Sequence, residues 1–353
     1  MAWYNTSWLD RVKVTVDHTK VGANQTNFPV YVDLSNLPAG FFTGVRTDGG
    51  DIRITQSDGT TELAREVVAI DTTAKTGELH FNGNSLSSTV DTVFYIYYGN
   101  ASATEPAANA TYGKYNVWDS NYVGVYHLEA NGNDSTSLQN TLTAGGTVSY
   151  SAQKLGQGVN LGSGAGYLSQ NADPGIGTGA FTIEAWCYIT SVANALAIAN
   201  YAAGASGVFS RFDWYQPGGY WQIYRVKNGI AQQGPTYTQT PSLNTWYYMV
   251  ETYDTTNVNG YQNGSLVGGP TAASGNGSVA QAVTQTIGSD AQSPTSPGWW
   301  GAQDEVRFSK IARSSTWLST QYNNQNSPST FYSVGAQEVL AALGGTLSLM
   351  GVG

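Results

Sequence analysis

The strongest constraint on this chain is a period of two. "RVKVTVD" (11–17) alternates apolar and polar residues at every step, and "FPVYVDL" (28–34), "DIRITQSDG" (51–59), "GELHFNG" (77–83) and "TVFYIYYGN" (92–100) follow as short strand-like runs. Successive residues of a strand point to opposite faces, so such runs bury one face of a sheet and rule out a helical domain. Asp58-Gly59 and Asn82-Gly83 supply the turn chemistry between them. A second set begins further on, with "VGVYHLE" (123–129), "FTIEAWCYI" (181–189), "YWQIYRVKNG" (220–229), "TWYYMVETYD" (245–254), "NGYQNGSLVG" (259–268), "VTQTIGSD" (283–290) and "DEVRFSK" (304–310). One stretch carries helical spacing: "STWLSTQYNNQ" (315–325), with Ser314 or Ser315 as its cap and Trp317, Leu318 and Tyr322 on its apolar side.

Many short strands with regular turns predict all-β sandwiches. At 353 residues the chain is long enough for two of them. Ala- and Asn-rich residues 101–118, poor in periodicity, read as the linker. The expected division is therefore a front sandwich over 1–118, a second all-β domain over 119–335, and a C-terminal tail over 336–353. That tail, "AQEVLAALGGTLSLMGVG", is apolar and too short to span a bilayer. An exposed apolar segment is a liability in a monomer, so it is expected to dock on a partner or a sister subunit, or to fold back on its own domain.

Charged residues make up 11% of the chain, against about 25% in an average soluble protein. Glycine (42), tyrosine (23) and small polar residues take their place, as expected for an extracellular or virion-surface β protein. The net charge is −9, with no basic stripe, which argues against a nucleic-acid partner. No run is long enough for a membrane helix. "MAWYNTSWLDRVKVTVD" lacks the basic and apolar regions of a leader peptide. The single cysteine, Cys187, lies on a strand and reads as a buried free thiol.

The second strand set resembles a LamG-like, concanavalin A-type jelly roll over 122–335. The resemblance rests on "YHLEANGNDSTSLQNTLT", "KLGQGVNLGSGAGYLS", "FTIEAWCYI", "NTWYYMVETYD", "GYQNGSLVG", "QTIGSD" and "GAQDEVRFSKIARSSTWLSTQY", which stand in the family's order. Residues 3–103 are similar to an uncharacterised β-sandwich family that often precedes such domains, through "WLDRVKVTV", "NFPVYVDL", "GGDIRITQSDGTTELAREV" and "TVFYIYYGNASA". The resemblance implies two tandem β-sandwiches, an Ig-like front domain and a jelly roll. It also implies binding or adhesion, typically to glycans, and sometimes structural calcium. It does not by itself imply catalysis.

Asp304 and Glu305 are adjacent carboxylates in "WWGAQDEVRFSK". Strand alternation sends them to opposite faces, so they cannot form the facing pair of a glycosidase. Glu305 then shares a face with Arg307, and Asp304 with Val306 and Phe308. Glu184 and Glu251 are lone acids on aromatic faces, and no catalytic residue is assigned. His18, His80 and His127 are far apart in sequence and none reads as part of a triad.

Calcium takes six to eight oxygens. The loop "EANGNDSTS" (129–137) offers Asn133 and Asp134. In jelly rolls that this sequence resembles, the first-strand loop often meets the last strand, so Asp134, Asn133 and Asp304 are the expected calcium ligands. The glycan-contact candidates are aromatic, because ring faces pack on the C–H faces of sugars. They are Trp214, Tyr220, Trp221 and Tyr224 around a Pro-Gly-Gly turn, and Trp299 in a Pro/Gly-bounded loop. Trp300 is expected to be core.

The expected function is a non-catalytic glycan-binding or adhesion protein, a fibre or decoration component of a phage virion surface, probing polysaccharide as a homo-oligomer. The alternatives are a purely structural assembly protein and a secreted or cell-surface microbial carbohydrate-active protein.

Overall fold

The computed structural model describes residues 2–170, 175–176, 179–191, 195–202, 209–215, 220–227, 230–237, 242–272, 282–290 and 293–340. Residues 163, 195–237 (where described), 282–284, 290 and 293–297 are described by backbone alone.

The alternating runs become antiparallel sheets. In the front sandwich, a three-stranded sheet runs in the order Gln25–Asp33, Thr76–Leu86, Arg65–Asp71. It faces a five-stranded sheet whose order is Tyr332–Val339, Asp10–Val16, Thr92–Tyr98, Arg53–Gln56, Glu62–Leu63. Val12, Val14, Val16, Val30, Val32, Leu79, Phe81, Phe94 and Ile96 fill the space between them.

The edge strand Tyr332–Val339 corrects the expected domain division. Residues 336–339 are not part of a free tail. They pair with the first strand in the register Asp10↔Val339 and Arg11↔Glu338. Arg11 binds Glu338 at 2.6 Å, and Gln337 Nε2 donates to Asp10 Oδ1 at 2.7 Å. The chain thus returns to its first domain after completing the second. Residues 341–353, where the rest of the expected docking segment falls, lie outside the described residues. A chain ending at Leu340 is expected to melt with the full-length protein. One ending at Phe331 loses a whole edge strand and should melt at least about 5 °C lower. Equal melting of the two truncations would show that this strand adds nothing.

The second domain has two large sheets. One is eight-stranded, with Trp300–Ser309, Phe181–Ile189 and Thr245–Tyr253 at its centre and Tyr122–Tyr126 paired to Trp300–Ser309. The other is seven-stranded, in the order Ile230–Tyr237, Tyr220–Lys227, Phe209–Tyr215, Ala195–Ala202, Ala282–Ile287, Gly166–Gln170, Thr143–Gly146. Val159, Leu161, Ile183, Ala185, Cys187, Met249, Val306 and Phe308 belong to the core of this domain. Cys187 is a buried free thiol, as expected, and burial pushes its pKa up.

The centre of the eight-stranded sheet is buried on both faces. Strand Phe181–Ile189 is buried at every position except Tyr188. Its second face, carrying Trp186, Tyr248 and Val250, joins the core cluster of the front sandwich. The helix Ser315–Asn326 completes this seam. Ser314 caps it, accepting from Trp317 N at 3.1 Å. Trp317 and Leu318 are buried, as the sequence pattern requires, with Trp317 edge-on to Phe28 of the front domain at 4.9 Å. Asn324 imitates a strand neighbour: it accepts from Tyr31 N at 2.8 Å and donates to Tyr31 O at 2.9 Å. Thr320 and Asn323 bind the main chain at Gly22 and Lys20. The two sandwiches are therefore packed against each other through a helix that belongs to neither sheet.

Candidate functional site

The seam holds a buried polar cluster assembled from both domains. Glu78 and His80 are two apart on the front strand Thr76–Leu86, hence on one face. His127 follows the strand Tyr122–Tyr126, and the register Tyr126↔Val306 brings it beside Glu305. The ring centroids of His80 and His127 are 4.9 Å apart. His80 Nε2 lies 2.7 Å from Glu78 Oε1, and His127 Nδ1 lies 3.1 Å from the same oxygen. His127 Nδ1 is also hydrogen-bonded to Glu305 Oε1, and Arg307 Nη2 donates to Glu305 Oε2. Behind His127, Nε2 faces Glu66 Oε2 at 3.5 Å. Glu66 is held by Trp118 Nε1 at 2.8 Å and Ser135 Oγ at 2.6 Å. The Arg307 guanidinium stacks on Trp118 at 4.9 Å.

This grouping corrects the view of His80 and His127 as far apart, while His18 stands apart from them beside Asp91. The Glu78-Leu79-His80 spacing was the available signal, but its counterpart lies in another domain.

The electrostatics follow from burial and crowding. Burial, then the charge of Glu305, push Glu78 well up. Burial pushes His80 well down. Burial also opposes charge on His127, but Glu305, Glu66 and Glu78 outweigh it and hold its pKa well above the usual imidazole range. Glu305 is the mirror case: against burial, His127 and Arg307 hold it well below the carboxylate range.

A β-bulge corrects the expected facing of Asp304. The ladder to Phe181–Ile189 pairs Glu184 with Arg307 but Trp186 with Asp304, so the last strand carries one extra residue there. Glu305 sits at φ +50°, the left-handed region, within that bulge. The extra residue cancels the alternation. Asp304 joins Trp186 on the seam face, with Glu305 and Arg307, and leaves Val306 and Phe308 to the jelly-roll core. Glu305 and Arg307, expected on one face, form an ion pair. Asp304 Oδ2 accepts from Lys154 N at 3.0 Å and Leu155 N at 2.8 Å. Burial and then the charges of Glu305 and Glu78 push its pKa well up.

The expected calcium ligands Asp134 and Asp304 are held by separate sets of protein donors. Asp134 accepts from Val125 N, Thr136 N, Thr136 Oγ1 and Asn140 N, all at 2.8–2.9 Å. Its donors come from 125, 136 and 140, those of Asp304 from 154 and 155, and none is common to both. Asn133 is exposed, its N–H bound to Asn131 Oδ1. Four protein donors already do for Asp134 what a cation would do. Among the described residues, the groups with metal-ligand spacing are Glu78/His80/His127/Glu305 and the more exposed Asp17/His18/Asp91.

Glu184 and Glu251 are both buried, and Glu184 is hydrogen-bonded to Tyr248. Neither opens on a cleft lined by a second acid among the described residues.

Of the aromatic candidates, Trp299 is corrected. It is 0% exposed, and its Nε1 donates to Tyr188 O at 3.0 Å and Ala302 O at 3.2 Å. An indole enclosed in the jelly-roll core cannot present a face to a sugar. Trp300, expected to be core, is the partly exposed member of the pair. Trp214, Tyr220, Trp221 and Tyr224 lie where only backbone is described. The ladder pairs Trp214 with Trp221 and Phe212 with Ile223, and Tyr215 with Tyr220 and Arg211 with Tyr224. Register thus separates the four onto two faces. Trp214 and Trp221 share theirs with Phe212 and Ile223. Tyr220 and Tyr224 share theirs with Arg211, Asp213 and Gln222.

One described groove was not anticipated. It has a volume of about 500 Å³ and lies along the seam, lined by Asn24, Gln25, Asn27, Asn116, Asn121 and Arg313, with Trp118 and Trp317. Gln25 Nε2 and Trp317 Nε1 are buried donors with no hydrogen-bond acceptor among the described residues. Its amides come from segments about ninety residues apart, so no sequence motif marks it.

No helix among the described residues is long and apolar enough to cross a membrane. No curated protein sequence matches the chain. Among solved structures, domain 4 of AbnA, a GH43 extracellular arabinanase from Geobacillus stearothermophilus in complex with arabinotriose, is similar at 14% identity and a TM-score of 0.49. That match covers 57% of this chain and 98% of the domain. The binding domain of botulinum neurotoxin serotype G is similar at 14% identity and a TM-score of 0.46, covering 59% of this chain and 52% of that one. The binding domain of botulinum neurotoxin DC, in complex with rat synaptotagmin II, is similar at 13% identity and a TM-score of 0.46, covering 58% and 52%. The chain thus spans about half the length of these toxin domains. Residues 162–319 match the family model of the concanavalin A-like lectin/glucanases superfamily. The C-terminal part of this chain contains a concanavalin A-like domain.

Proposed function

We propose that the chain is a non-catalytic glycan-binding adhesion protein, displayed on a virion surface as a fibre or decoration component. The observation that carries the reading is the match of residues 162–319 to a lectin/glucanase superfamily. The described carboxylates of the central sheet favour binding over bond cleavage, since Glu184, Asp304 and Glu305 are enclosed, with Tyr248 on one oxygen of Glu184, backbone N–H groups on one oxygen of Asp304, and His127 and Arg307 on Glu305. The seam groove, with its planar amides and two indoles, has the chemistry that saccharides take. The ladder of Phe209–Tyr215 with Tyr220–Lys227 places Tyr220 and Tyr224 in register on one face with Asp213 and Gln222. Low charge and a polar, uncharged composition suit display in an array, where weak single-site affinities multiply.

The test is binding to an array of glycans and bacterial polysaccharides, with Ca²⁺ and then with EDTA. Selective binding is expected. Tyr220→Ala and Tyr224→Ala should weaken it at least about tenfold if the sheet is the contact surface, and Gln25→Ala with Asn121→Ala if the groove is. Trp214→Ala tests the opposite sheet face. A blank array under both conditions would favour the structural assembly reading. Release of reducing sugar that disappears in Glu184→Gln would overturn the non-catalytic one.

A further inference from the structure

We propose that Glu78, His80, His127 and Glu305 form a buried binding site for one first-row divalent cation, zinc by ligand chemistry, which fastens the front sandwich to the jelly roll. Two imidazoles and two carboxylates are a donor set that zinc takes in closed four-coordinate sites. One donor atom from each residue lies within 4.8 Å of all the others, and all four residues are buried. Bonds of about 2.0–2.2 Å put tetrahedral donors about 3.3–3.6 Å apart, so an ion would replace the hydrogen bonds within the set, its closest pairs opening slightly and its widest pairs closing.

The surroundings match what a bound cation requires. His127, a ligand through Nδ1, turns Nε2 toward Glu66 Oε2 at 3.5 Å, and Glu66 is itself fixed by Trp118 and Ser135. A carboxylate behind a ligating histidine is the usual support of a metal centre. Glu305, a ligand through Oε1, has its other oxygen on Arg307. Glu78 Oε2 and His80 Nδ1 are fully buried and have no hydrogen-bond partner among the described residues. Protein groups alone thus leave this cluster incompletely satisfied.

Charge leads the same way. Five carboxylates, Glu66, Glu78, Glu184, Asp304 and Glu305, are each no more than 4% exposed around the seam. Arg307 is buried among them, Arg313 acts on Glu184, and His127 lies between Glu66, Glu78 and Glu305. The carboxylates outnumber these partners, burying them is costly, and a divalent ion offsets two. The position explains the role. Glu78 and His80 belong to the front sandwich, and His127 and Glu305 to the jelly roll. An ion bound by both would hold the two domains at one angle.

The test starts from protein purified without chelator. Elemental analysis is expected to find about one zinc per chain, and chelation at elevated temperature should lower the melting temperature. Cobalt added to the stripped, refolded chain should give the visible bands of a four-coordinate nitrogen and oxygen site. Glu78→Gln and His80→Gln should lose the metal, the cobalt bands and the chelator sensitivity together. His18→Ala, at the separate surface trio, should keep all three. Less than about 0.1 equivalent of any divalent metal, with no cobalt band, would overturn the site and leave a proton-sharing His–Glu network in its place. Metal lost in His18→Ala but kept in Glu78→Gln would also overturn it. If a seam variant fails to fold, the metal content and cobalt spectrum of the unaltered chain decide the question.

Discussion

Replacing Arg307 by methionine is expected to lower the unfolding free energy by about 3–5 kcal/mol, the cost of stranding a buried charge. The guanidinium is fully enclosed, donates to Glu305 and stacks on Trp118. It also favours the charged form of Glu184. Methionine keeps much of the stem's packing, so the loss reports the charge rather than a cavity. The check is denaturant unfolding of Arg307→Met, Glu305→Gln and the double variant. The double variant should recover part of the loss, because each single change leaves the opposite charge unpaired. A loss below about 1 kcal/mol in Arg307→Met would mean that water reaches the seam and that the cluster is not enclosed as described.

Asn324→Ala should be nearly as damaging, at about 2–4 kcal/mol. Its amide satisfies both main-chain groups of Tyr31 across the seam, and each buried group left unsatisfied costs about 1–3 kcal/mol. The neighbouring Asn323→Ala removes a single, partly buried bond to Lys20 O and should cost under about 1.5 kcal/mol. Hydrogen exchange distinguishes the mechanism from a general weakening of the helix. The Tyr31 amide should lose protection in Asn324→Ala and keep it in Asn323→Ala. Equal effects of the two substitutions would show that the helix docks through packing alone, by Trp317 and Leu318.

The legible features were those encoded locally. Alternation in 11–17 and 181–189 gave strands, and Ser314 with Trp317 and Leu318 gave a capped helix with a buried side. The hydrophobic setting of Cys187 gave a buried thiol. Each depends on residues within about one turn or one strand of each other, where backbone geometry alone sets the facing. The same rule misled at Asp304. One extra residue in the ladder, with Glu305 in the left-handed region, moved that carboxylate to the other face. Nothing in "QDEVRF" distinguishes a bulged strand from a regular one. Trp299 and Trp300 failed for a related reason, since they stand at the start of the strand Trp300–Ser309, where no preceding period tells which of the two faces inward.

The sequence by itself determined that this chain is all β, in two sandwiches, because a period of two and its turns are local properties, and the order of motifs over 122–335 carried the resemblance of the second domain to a concanavalin A-type jelly roll. Only the tertiary structure decided that the chain returns to its first domain through Tyr332–Val339, and that one sheet is covered on both faces at its centre. It alone brought Glu78 and His80 to His127 and Glu305. These depend on how two finished surfaces dock, and docking is set by shape and unsatisfied polar groups that many distant segments supply together.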